Sequence, residues 1–301
     1  MPDSEHGPTA QEPPPFTGAV RTQSAPEVQI VDSGPSRRQT GAHTASIGSC
    51  VIGVDVGGSG IKAAPVDVST GALAADRVRI DTPSPATPDA VAATVAEVVG
   101  RVLSQCPPEL VGDDAPVGLT MPGVVRSGVV LTAANIDPSW IGTDAAALYG
   151  EALDRPVAVL NDADAAGVAE VRFGAGRDVD GVLVLLTLGT GIGSALFTNG
   201  ILVPNTELGH LPLHGDDAER YASSAVRKAE GLSMKKYAKR LQTYLELVER
   251  LLWPDLILIG GGISRRSDEL LPHIELRTPV QPAQLRNEAG IVGAALLSAP
   301  H

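Results

Sequence analysis

The hydrophobic pattern of the chain changes at Cys50. Before it, residues 1–48 contain seven prolines and many Ser, Thr, Gly and Gln positions, with few large apolar residues. Such a segment buries too little apolar surface to offset the entropy cost of ordering. We therefore predict a disordered, Pro-rich N-terminal tail over residues 1–48.

After Cys50, short apolar runs alternate with longer periodic segments. "CVIGVDVGG" and "GIKAAPVDVSTGAL" predict two strands joined by a glycine-rich bend. Further strands are predicted in "PVGLTMPGVV", "PVAVL" and "DLILIGGG", and helices near residues 88–105, 143–152, 162–171, 232–253 and 288–298. This alternation of strands and helices indicates an α/β fold.

Two segments of the chain resemble each other. Residues 54–64, "VDVGGSGIKAA", align without a gap with residues 186–196, "LTLGTGIGSAL", 132 positions further along. Each contains a strand, a glycine bend and a second strand, so we expect a duplicated fold whose two lobes face each other across a cleft. The predicted small lobe covers residues 49–160 and is completed by a C-terminal helix at 288–299. The predicted large lobe covers residues 161–287.

Composition and charge exclude several classes of function. The 301 residues carry a net charge of -12 with a pI near 4.9, which argues against general attraction to nucleic acid or an anionic membrane surface. Only Cys50 and Cys106 are present, too few for a disulfide framework or a Cys-based zinc site. No apolar run reaches the roughly 18 residues of a membrane helix. We expect a cytoplasmic protein without nucleic-acid or membrane partners.

The glycine-rich bends carry the first candidate chemistry. "DVGGSGIK" has neither the spacing of a P-loop nor the third glycine of the dinucleotide motif. Missing Cβ atoms still let backbone N–H groups approach an anion, with Ser59 and Lys62 as donors and Asp55 as a partner for Mg²⁺ through water. A plain tight turn is the alternative, but "LTLGTGIG" and "LIGGGIS" repeat the junction. The predicted phosphate-binding residues are Asp55, Gly57, Gly58, Ser59, Gly60, Lys62, Thr187, Gly189, Thr190, Gly191, Gly261 and Gly262.

Several segments occur in the order typical of one family. "GVDVGGSGIKAAPVD", "LNDADAAGVAE", "LTLGTGIGSALFTNG", "ELGH" and "LILIGGGIS" resemble ROK-family sugar kinases. "TAANIDPSWIG", "YASSAVRKAEGLSMKKYAKR" and "RTPVQPAQLRNEAGIVGAAL" are similar to the actinobacterial polyphosphate glucokinases of that family, and the match covers about residues 50–298. The resemblance implies an actin-like (ribonuclease H-like) ATPase and sugar kinase fold with two lobes and a duplicated βαβ core. It also implies a hexose between the lobes, phosphoryl transfer to its 6-hydroxyl, and a homodimer.

Asp162 is the candidate general base for this transfer. It follows the strand "PVAVL" and opens an Ala-rich helix, where a carboxylate reaches into a cleft and is stabilised by the helix N-terminus. The local sequence leaves open the alternative that Asn161 or Asp162 only caps the helix. The resemblance favours the base, because Asn161 and Asp162 match the family's "ND", and it implies that both residues contact the sugar.

Carboxylates, amides and imidazoles recognise sugars, because each hydroxyl both donates and accepts hydrogen bonds. The resemblance implies glucose contacts for Asn135 in "AANIDPSW" and for Glu207 and His210 in "ELGH". Glu219 joins this set, since it keeps the family's Glu-x-Tyr-x-Ser spacing.

The segment after "ELGH" departs from the family pattern. Many ROK proteins carry zinc-binding cysteines there, and this chain has none. Asp217 stands where the last of those cysteines would be, with His214 and Asp216 nearby. Zinc in a structural site prefers thiolate and imidazole ligands. We therefore expect no structural zinc and interpret these three residues as a loop held by ordinary hydrogen bonds.

A basic segment contrasts with the acidic chain. Residues 220–240 contain seven basic residues and one acidic residue, Glu230. Lys235 lies four positions before Lys239, and Lys236 four before Arg240, so on a helix they form one face. This face is either a solvated surface or a cation track for a linear polyanion such as polyphosphate. "LILIGGGIS" would let adenine lie against backbone, so ATP is a second predicted donor.

The sequence thus predicts a kinase that phosphorylates glucose with inorganic polyphosphate, and also with ATP, in the presence of Mg²⁺. A strictly ATP-dependent glucokinase or glucomannokinase of the same family is the alternative enzyme. A ROK-type sugar-sensing regulator is the alternative from another class. Such regulators carry a helix-turn-helix ahead of the fold, whereas residues 1–48 lack helical periodicity and leave no room for one.

Overall fold

The computed structural model describes residues 50–107, 109–133 and 136–299. The tail predicted over residues 1–48 and the candidate sugar ligand Asn135 lie outside the described residues. The helices are α1 (Pro88–Gln105), α2 (Ala145–Leu153), α3 (Asp162–Phe173), α4 (Glu219–Ala222), α5 (Ser224–Ala229), α6 (Met234–Leu252), α7 (Ser267–Leu270) and α8 (Ala289–Ser298). The strands are β1 (Cys50–Gly57), β2 (Gly60–Asp67), β3 (Ala72–Leu73), β4 (Val78–Ile80), β5 (Val117–Met121), β6 (Val125–Arg126), β7 (Val129–Val130), β8 (Val157–Asn161), β9 (Val182–Leu188), β10 (Ile192–Thr198), β11 (Ile201–Val203), β12 (Pro212–Leu213), β13 (Asp216–Asp217), β14 (Leu256–Gly260) and β15 (Val280–Pro282).

The first sheet has the strand order β3-β2-β1-β5-β8, and β4 also pairs with β2. β1 and β2 form an antiparallel hairpin, whereas β1, β5 and β8 run parallel. Side chains of β1 alternate between the two faces of the sheet. Ile52 and Val54 pack with the residues of α1 and α2, while Val51 packs with those of α8. Asp55 is on the same face as Val51, so its carboxylate lies beside Gly290 in the first turn of α8.

The second sheet repeats this topology, with the order β11-β10-β9-β14-β15. β9 and β10 form an antiparallel hairpin, and β9, β14 and β15 run parallel. In both sheets the hairpin is followed by parallel strands, which need a crossover connection. The duplicated α/β core predicted from the sequence is confirmed.

The ungapped alignment of the two hairpins is wrong in its second half. In the first hairpin Gly57 pairs with Gly60, so the bend has two residues; in the second, Leu188 pairs with Ile192, so the bend has three. Asp55 faces Lys62 across the first hairpin, and Thr187 faces Gly193 across the second. Lys62 therefore corresponds to Gly193 and not to Ser194. A shift of one residue matters because it moves a side chain to the other face of the sheet.

Helix α3 lies between the two sheets. On one side Ala169 packs with apolar residues of β1, β2 and α8. On the other side Ala166 and Val168 pack with residues of β9 and β10 such as Phe197. Helix α8 packs against β1, β5 and α3, and α6 covers the outer face of the second sheet. Because α3 lies between the sheets, its first residue, Asp162, is placed between the two glycine bends.

Within the described ranges, none of the helices combines the length and the apolar character that a membrane span requires.

Candidate active site

A cavity of about 560 Å³ lies between the two glycine bends. It brings together the candidate base Asp162, four further candidate sugar ligands and parts of all three glycine junctions. The predicted residues that line it are Gly57, Gly58, Ser59, Asn161, Asp162, Thr187, Gly189, Thr190, Gly191, Glu207, His210, Glu219 and Gly261. A second cavity of about 160 Å³ shares Asp162, Thr187 and Gly261 with the first and adds Asp55 and Lys62.

Asp162 is the first residue of α3 and lines both cavities. Removal of water from around the carboxylate is the main cause that raises the pKa of Asp162 to about 7, and the charges of Asp55 and Glu207 raise it further. The hydrogen bond from the backbone N–H of Ala163 opposes these effects. A carboxylate with a pKa near neutral pH is well matched to general-base catalysis.

Asn161 is the residue whose side chain caps α3. Its Oδ1 accepts from the backbone N–H groups of Ala163 at 2.8 Å and Asp164 at 3.0 Å. Its Nδ2 donates to the carbonyl oxygen of Gly123 at 3.0 Å, which leaves one amide hydrogen for a ligand. The capping alternative raised by the sequence therefore applies to Asn161.

A charged pair lies beside the first bend, on β1 and β2. Lys62 Nζ donates to Asp55 Oδ2 at 2.7 Å, and Thr120 Oγ1 donates to Asp55 Oδ1 at 3.2 Å. Ser59 lies in the bend itself, where its carbonyl oxygen accepts from Arg79 at 2.8 Å. Sequence reasoning missed Arg79, because the pairing of β4 with β2 that brings it to the bend has no local signal.

The second bend is neutral and is held by a residue from another element. The backbone N–H of Ile192 donates to Glu219 Oε2 at 3.1 Å, and a Cβ on Gly191 would overlap that same oxygen. The carbonyl oxygen of Gly189 accepts from the backbone N–H of Ala225 at 3.0 Å. Gly261 faces the bend with a φ of 75°, a conformation that favours glycine. The candidate sugar ligand Glu219 thus also shapes the candidate donor site.

The segment that carries the candidate sugar ligands Glu207 and His210 contains a contact that the sequence analysis did not name. Glu207 and His210 lie on one short turn, with His210 Nε2 3.8 Å from Glu207 Oε2. Burial raises the pKa of Glu207, the charge of His210 lowers it, and Glu219 raises it. Asp217, interpreted above as part of a loop held by ordinary hydrogen bonds, accepts one such bond from His210 Nδ1 at 3.0 Å. Asp217 reaches His210 because the β12–β13 hairpin turns the chain back and pairs Pro212 with Asp217.

A second missed feature connects Asn205, two residues before Glu207, to the β6–β7 strand pair and to α3. The amide of Asn205 donates to the carbonyl oxygen of Val125 and accepts from its N–H, both at 3.0 Å. The backbone N–H of Asn205 donates to Asp164 Oδ2 at 2.7 Å. Burial is the main cause that raises the pKa of Asp164 to about 6, and the bond from Asn205 opposes it. The signal in the sequence was Asp164 itself, an acidic residue among the alanines of "NDADAAGVAE".

Four predicted donor residues lie outside both cavities: Gly60, Gly262, Lys235 and Lys239. Gly60 instead packs against the guanidinium of Arg79. Lys235 and Lys239 are exposed on α6. Arg240, on the same predicted face, forms a two-point ion pair with Glu230, with bonds of 2.9 and 2.5 Å, and stacks over Tyr221 at 5.1 Å. The basic face therefore has fewer available charges than the sequence indicated.

Pro122, Gly123 and Thr132 also line the main cavity, and the sequence analysis did not select them. Pro122 and Gly123 directly follow β5. Ligands in open α/β sheets bind outside the carboxyl ends of parallel strands. That rule, applied to "GLTMPG", is the signal that would have found Pro122 and Gly123.

The described residues contain no group of three or more His, Cys, Asp or Glu side chains arranged to hold a metal ion. Both carboxylate oxygens of Asp55 already have partners, Lys62 and Thr120. A direct bond from Asp55 to a metal would displace one of them, whereas Mg²⁺ keeps several waters and is often bound through them. The residues present fit a hydrated Mg²⁺ contacted through water.

Two sheets of one topology, with glycine bends facing a common cavity, define the actin-like class of ATPases and sugar kinases. The model of the ROK family matches residues 51–230. The chain belongs to the ROK family.

Three relatives are similar to this chain over more than four fifths of its length. The chain is 51% identical over 271 residues to the polyphosphate glucokinase of Mycobacterium tuberculosis, covering 89% of this chain and 98% of that protein. The crystal structure of an inorganic polyphosphate/ATP-glucomannokinase from Arthrobacter sp. strain KM is 53% identical with a TM-score of 0.80, covering 83% of this chain and 98% of that one. A ROK family glucokinase from Streptomyces griseus in complex with glucose and AMPPNP is 25% identical with a TM-score of 0.71, covering 82% and 98%.

Proposed function

We propose that this protein transfers a phosphoryl group from inorganic polyphosphate, and also from ATP, to the 6-hydroxyl of glucose. The observation that carries the proposal is one cavity that holds the carboxylate of Asp162, with its raised pKa, between two glycine bends and the polar side chains of Glu207 and His210. Identity of 51% with a mycobacterial polyphosphate glucokinase over most of both chains supports the choice of substrates.

In the proposed mechanism the sugar lies between Asp162 and the side chains of Asn161, Glu207, His210 and Glu219, with Asn135 as a further ligand. The 6-hydroxyl oxygen attacks the terminal phosphorus of the donor, and its proton passes to Asp162. The bond between that phosphorus and the next bridging oxygen breaks, and the shortened chain leaves with the bonding electrons. Positioning and charge neutralisation supply most of the catalysis in such transfers.

The two bends are proposed to hold the donor from opposite sides. Backbone N–H groups at glycine bends bind phosphate oxygens without a side chain in the way. Lys62 adds a positive charge beside the first bend, and Thr187 adds a hydroxyl beside the second. A hydrated Mg²⁺, held by Asp55 through water, would neutralise charge on the donor phosphates.

Two features of the structure bear on the choice of phosphoryl donor. Lys235 and Lys239 form an exposed cation pair suited to phosphates beyond the reacting one. Gly261, which lines the cavity after β14, leaves room for a flat base as ATP requires. These two observations favour use of both donors, and glucose with inorganic polyphosphate is the main reaction.

We also propose a homodimer in the cytoplasm. The edge strand β11 exposes Ile201 and Val203, with 58% and 39% of their surface accessible, on one face. Burial of this edge between two copies would remove apolar surface and unpaired strand groups from water. Light scattering after size exclusion tests the dimer, and the wild-type mass compared with that of Ile201→Lys tests the surface.

A donor panel tests the proposed function. Purified protein is incubated with glucose and either ATP-free polyphosphate or ATP, each with Mg²⁺, and glucose 6-phosphate is measured. Product with polyphosphate that disappears in Asp162→Ala supports the proposal. Product with ATP alone supports the strictly ATP-dependent alternative, and glucose binding without product from either donor supports the sugar-sensing alternative. Mannose in place of glucose then defines the sugar specificity.

A further inference from the structure

The β12–β13 hairpin brings Asp217 back beside His210. β12 begins two residues after His210, and the bend of the hairpin consists of His214 and Gly215, with φ values of 56° and 86°. Positive φ at both central residues is what a two-residue type I′ turn requires. The register pairs Pro212 with Asp217. The two-residue turn and this register therefore place Asp217 opposite Pro212, close to His210.

Asp217 contacts the imidazole ring of His210 directly. Nδ1 of His210 donates to Oδ2 of Asp217 at 3.0 Å, and Nε2 lies 3.8 Å from Oε2 of Glu207. His210 and Glu207 line the main cavity, whereas Asp217 is not part of its lining. The carboxylate therefore holds one ring nitrogen from outside the cavity, and the other nitrogen is the one near Glu207.

The hairpin also restrains Asp217 itself. Its backbone N–H donates to Asp216 Oδ1 at 2.8 Å, and the N–H of Ala218 donates to the carbonyl oxygen of Leu211 at 2.9 Å. Arg220 lies 3.4 Å from Asp216. The two acidic residues of the hairpin thus have different partners: Asp216 contacts a surface arginine and the backbone, and Asp217 contacts the imidazole.

We propose that Asp217 is a positioning residue for sugar binding: it holds Nδ1 of His210, so that Nε2 is presented to a sugar hydroxyl beside Glu207. The inference rests on the proposed function, because it takes His210 as a sugar contact. The partner of one imidazole nitrogen decides the role of the other. With Nδ1–H bound to Asp217, a neutral ring offers Nε2 as an acceptor, and a protonated ring offers Nε2–H as a donor.

Carboxylates from three segments face the ring: Glu207 before the turn, Asp217 on β13 and Glu219 at the start of α4. The hydrogen bond with Asp217 is the largest influence and raises the pKa of His210. Partial burial lowers that pKa, and the charges of Glu219, Asp217 and Glu207 raise it further. The imidazolium form therefore persists to higher pH than in a free histidine. Replacing the Asp217 carboxylate with an amide removes its charge and weakens its hydrogen bond to the imidazolium.

A matched pair of variants tests this role. Asp217→Asn removes the charge next to His210, and Asp216→Asn makes the same change one residue away while keeping an oxygen that accepts from the backbone. For each variant, kcat and KM for glucose are measured at saturating polyphosphate, and the Kd for glucose is measured by calorimetry without donor. The titration and tautomer of His210 are followed by NMR of ¹⁵N-histidine-labelled protein, with its signal assigned by its loss in His210→Gln.

Asp217→Asn is expected to raise KM and Kd for glucose about 5-fold, the size of one net hydrogen bond, with kcat within about 2-fold of wild type. Its His210 should titrate at lower pH, Asp217→Glu should restore part of the affinity, and Asp216→Asn should change none of these. An unchanged His210 titration in Asp217→Asn, or equal effects from Asp216→Asn, would overturn the inference. A loss of melting temperature without a selective change in glucose affinity would also overturn it, since that is the result of a purely structural role. Absence of product in the wild type is a separate result that rejects the proposed function.

Discussion

The two glycine hairpins share a topology and differ in chemistry. In the first, Asp55 and Lys62 face each other across the strands and form an ion pair of 2.7 Å. In the second, the equivalent positions hold Thr187 and Gly193, which carry no charge. The duplication therefore predicts where strands and bends lie, and it does not predict which copy carries the charges.

The hairpins also differ in what supports them. The first contains its own charged pair, and the hydroxyl of Thr120 on the neighbouring strand β5 donates to that pair. The second has its bend held by Glu219, which is 27 residues away from Ile192 in the chain. Since Glu219 also belongs to the proposed sugar pocket, we expect changes at the second bend to affect glucose and changes at the first bend to affect the donor and Mg²⁺.

The largest expected effect lies between the hairpins, at Asp162. Asp162→Ala should lower kcat by about 10²- to 10⁴-fold, the usual cost of losing a general base, with a smaller change in glucose affinity. Steady-state kinetics and calorimetry measure the two quantities. Turnover close to wild type would reject Asp162 as the base.

The pH dependence of the wild type gives the same assignment a second test. Because the pKa of Asp162 is raised to about 7, the carboxylate is mostly protonated at lower pH and cannot accept a proton. We expect kcat/KM for glucose to fall as pH decreases through this value and to level off above it. The residual rate of Asp162→Ala should lack this dependence, and a profile shared by both proteins would contradict the prediction.

The next largest effect separates the two hairpins directly. Asp55→Asn should lower kcat about 10²-fold and raise the Mg²⁺ concentration needed for half-maximal rate, because it removes the charge proposed to hold the hydrated ion. Thr187→Val, at the equivalent position of the second hairpin, should cost less than about 10-fold and leave the Mg²⁺ requirement unchanged. Equal losses in the two variants would mean that the hairpins contribute equally to the donor site.

A smaller effect is expected from a pair of glycines in the second bend. A methyl group on Gly191 would overlap Glu219, whereas one on Gly189 would meet no atom within 4 Å. Gly191→Ala should therefore raise KM for glucose by about 10-fold, since it displaces a proposed sugar ligand. Gly189→Ala should leave KM for glucose unchanged. A rise in KM for polyphosphate alone in Gly191→Ala would show that the second bend acts only on the donor.

Some of these features could be predicted from the sequence, because they depend on local pattern. The apolar run and glycines that predict each hairpin lie within about a dozen residues, and the helix predicted near residues 88–105 is observed at Pro88–Gln105. The contact of His210 with Asp217 depends on the register of a two-residue turn, and that of Asp164 with Asn205 joins residues 41 positions apart. Side-chain partners of this kind follow from packing, which periodicity does not encode.

Arg240 shows the same limit for charge patterns. The sequence placed it with Lys235, Lys236 and Lys239 on one basic face, and the structure pairs it with Glu230. The turn between α5 and α6 brings these two residues together. A count of basic residues therefore overstates the positive charge available to a polyanion. Because Arg240 is neutralised by Glu230, we expect only a small effect on polyphosphate binding from the remaining lysines.

The smallest effect is expected at that face, outside both hairpins. Lys235→Ala combined with Lys239→Ala should raise KM for polyphosphate several-fold, since each exposed cation contributes little in water. KM for ATP should change less, because ATP has no phosphates beyond the site to contact these lysines. The increase should diminish at high salt, by analogy with the salt dependence of other polyanion contacts.

Arg250→Ala, which removes an exposed cation 11 residues beyond Lys239 on the same helix, is the control and should leave both KM values unchanged. If the double variant changes both donors equally, the lysines form only a solvated surface, and the bends alone distinguish one donor from the other.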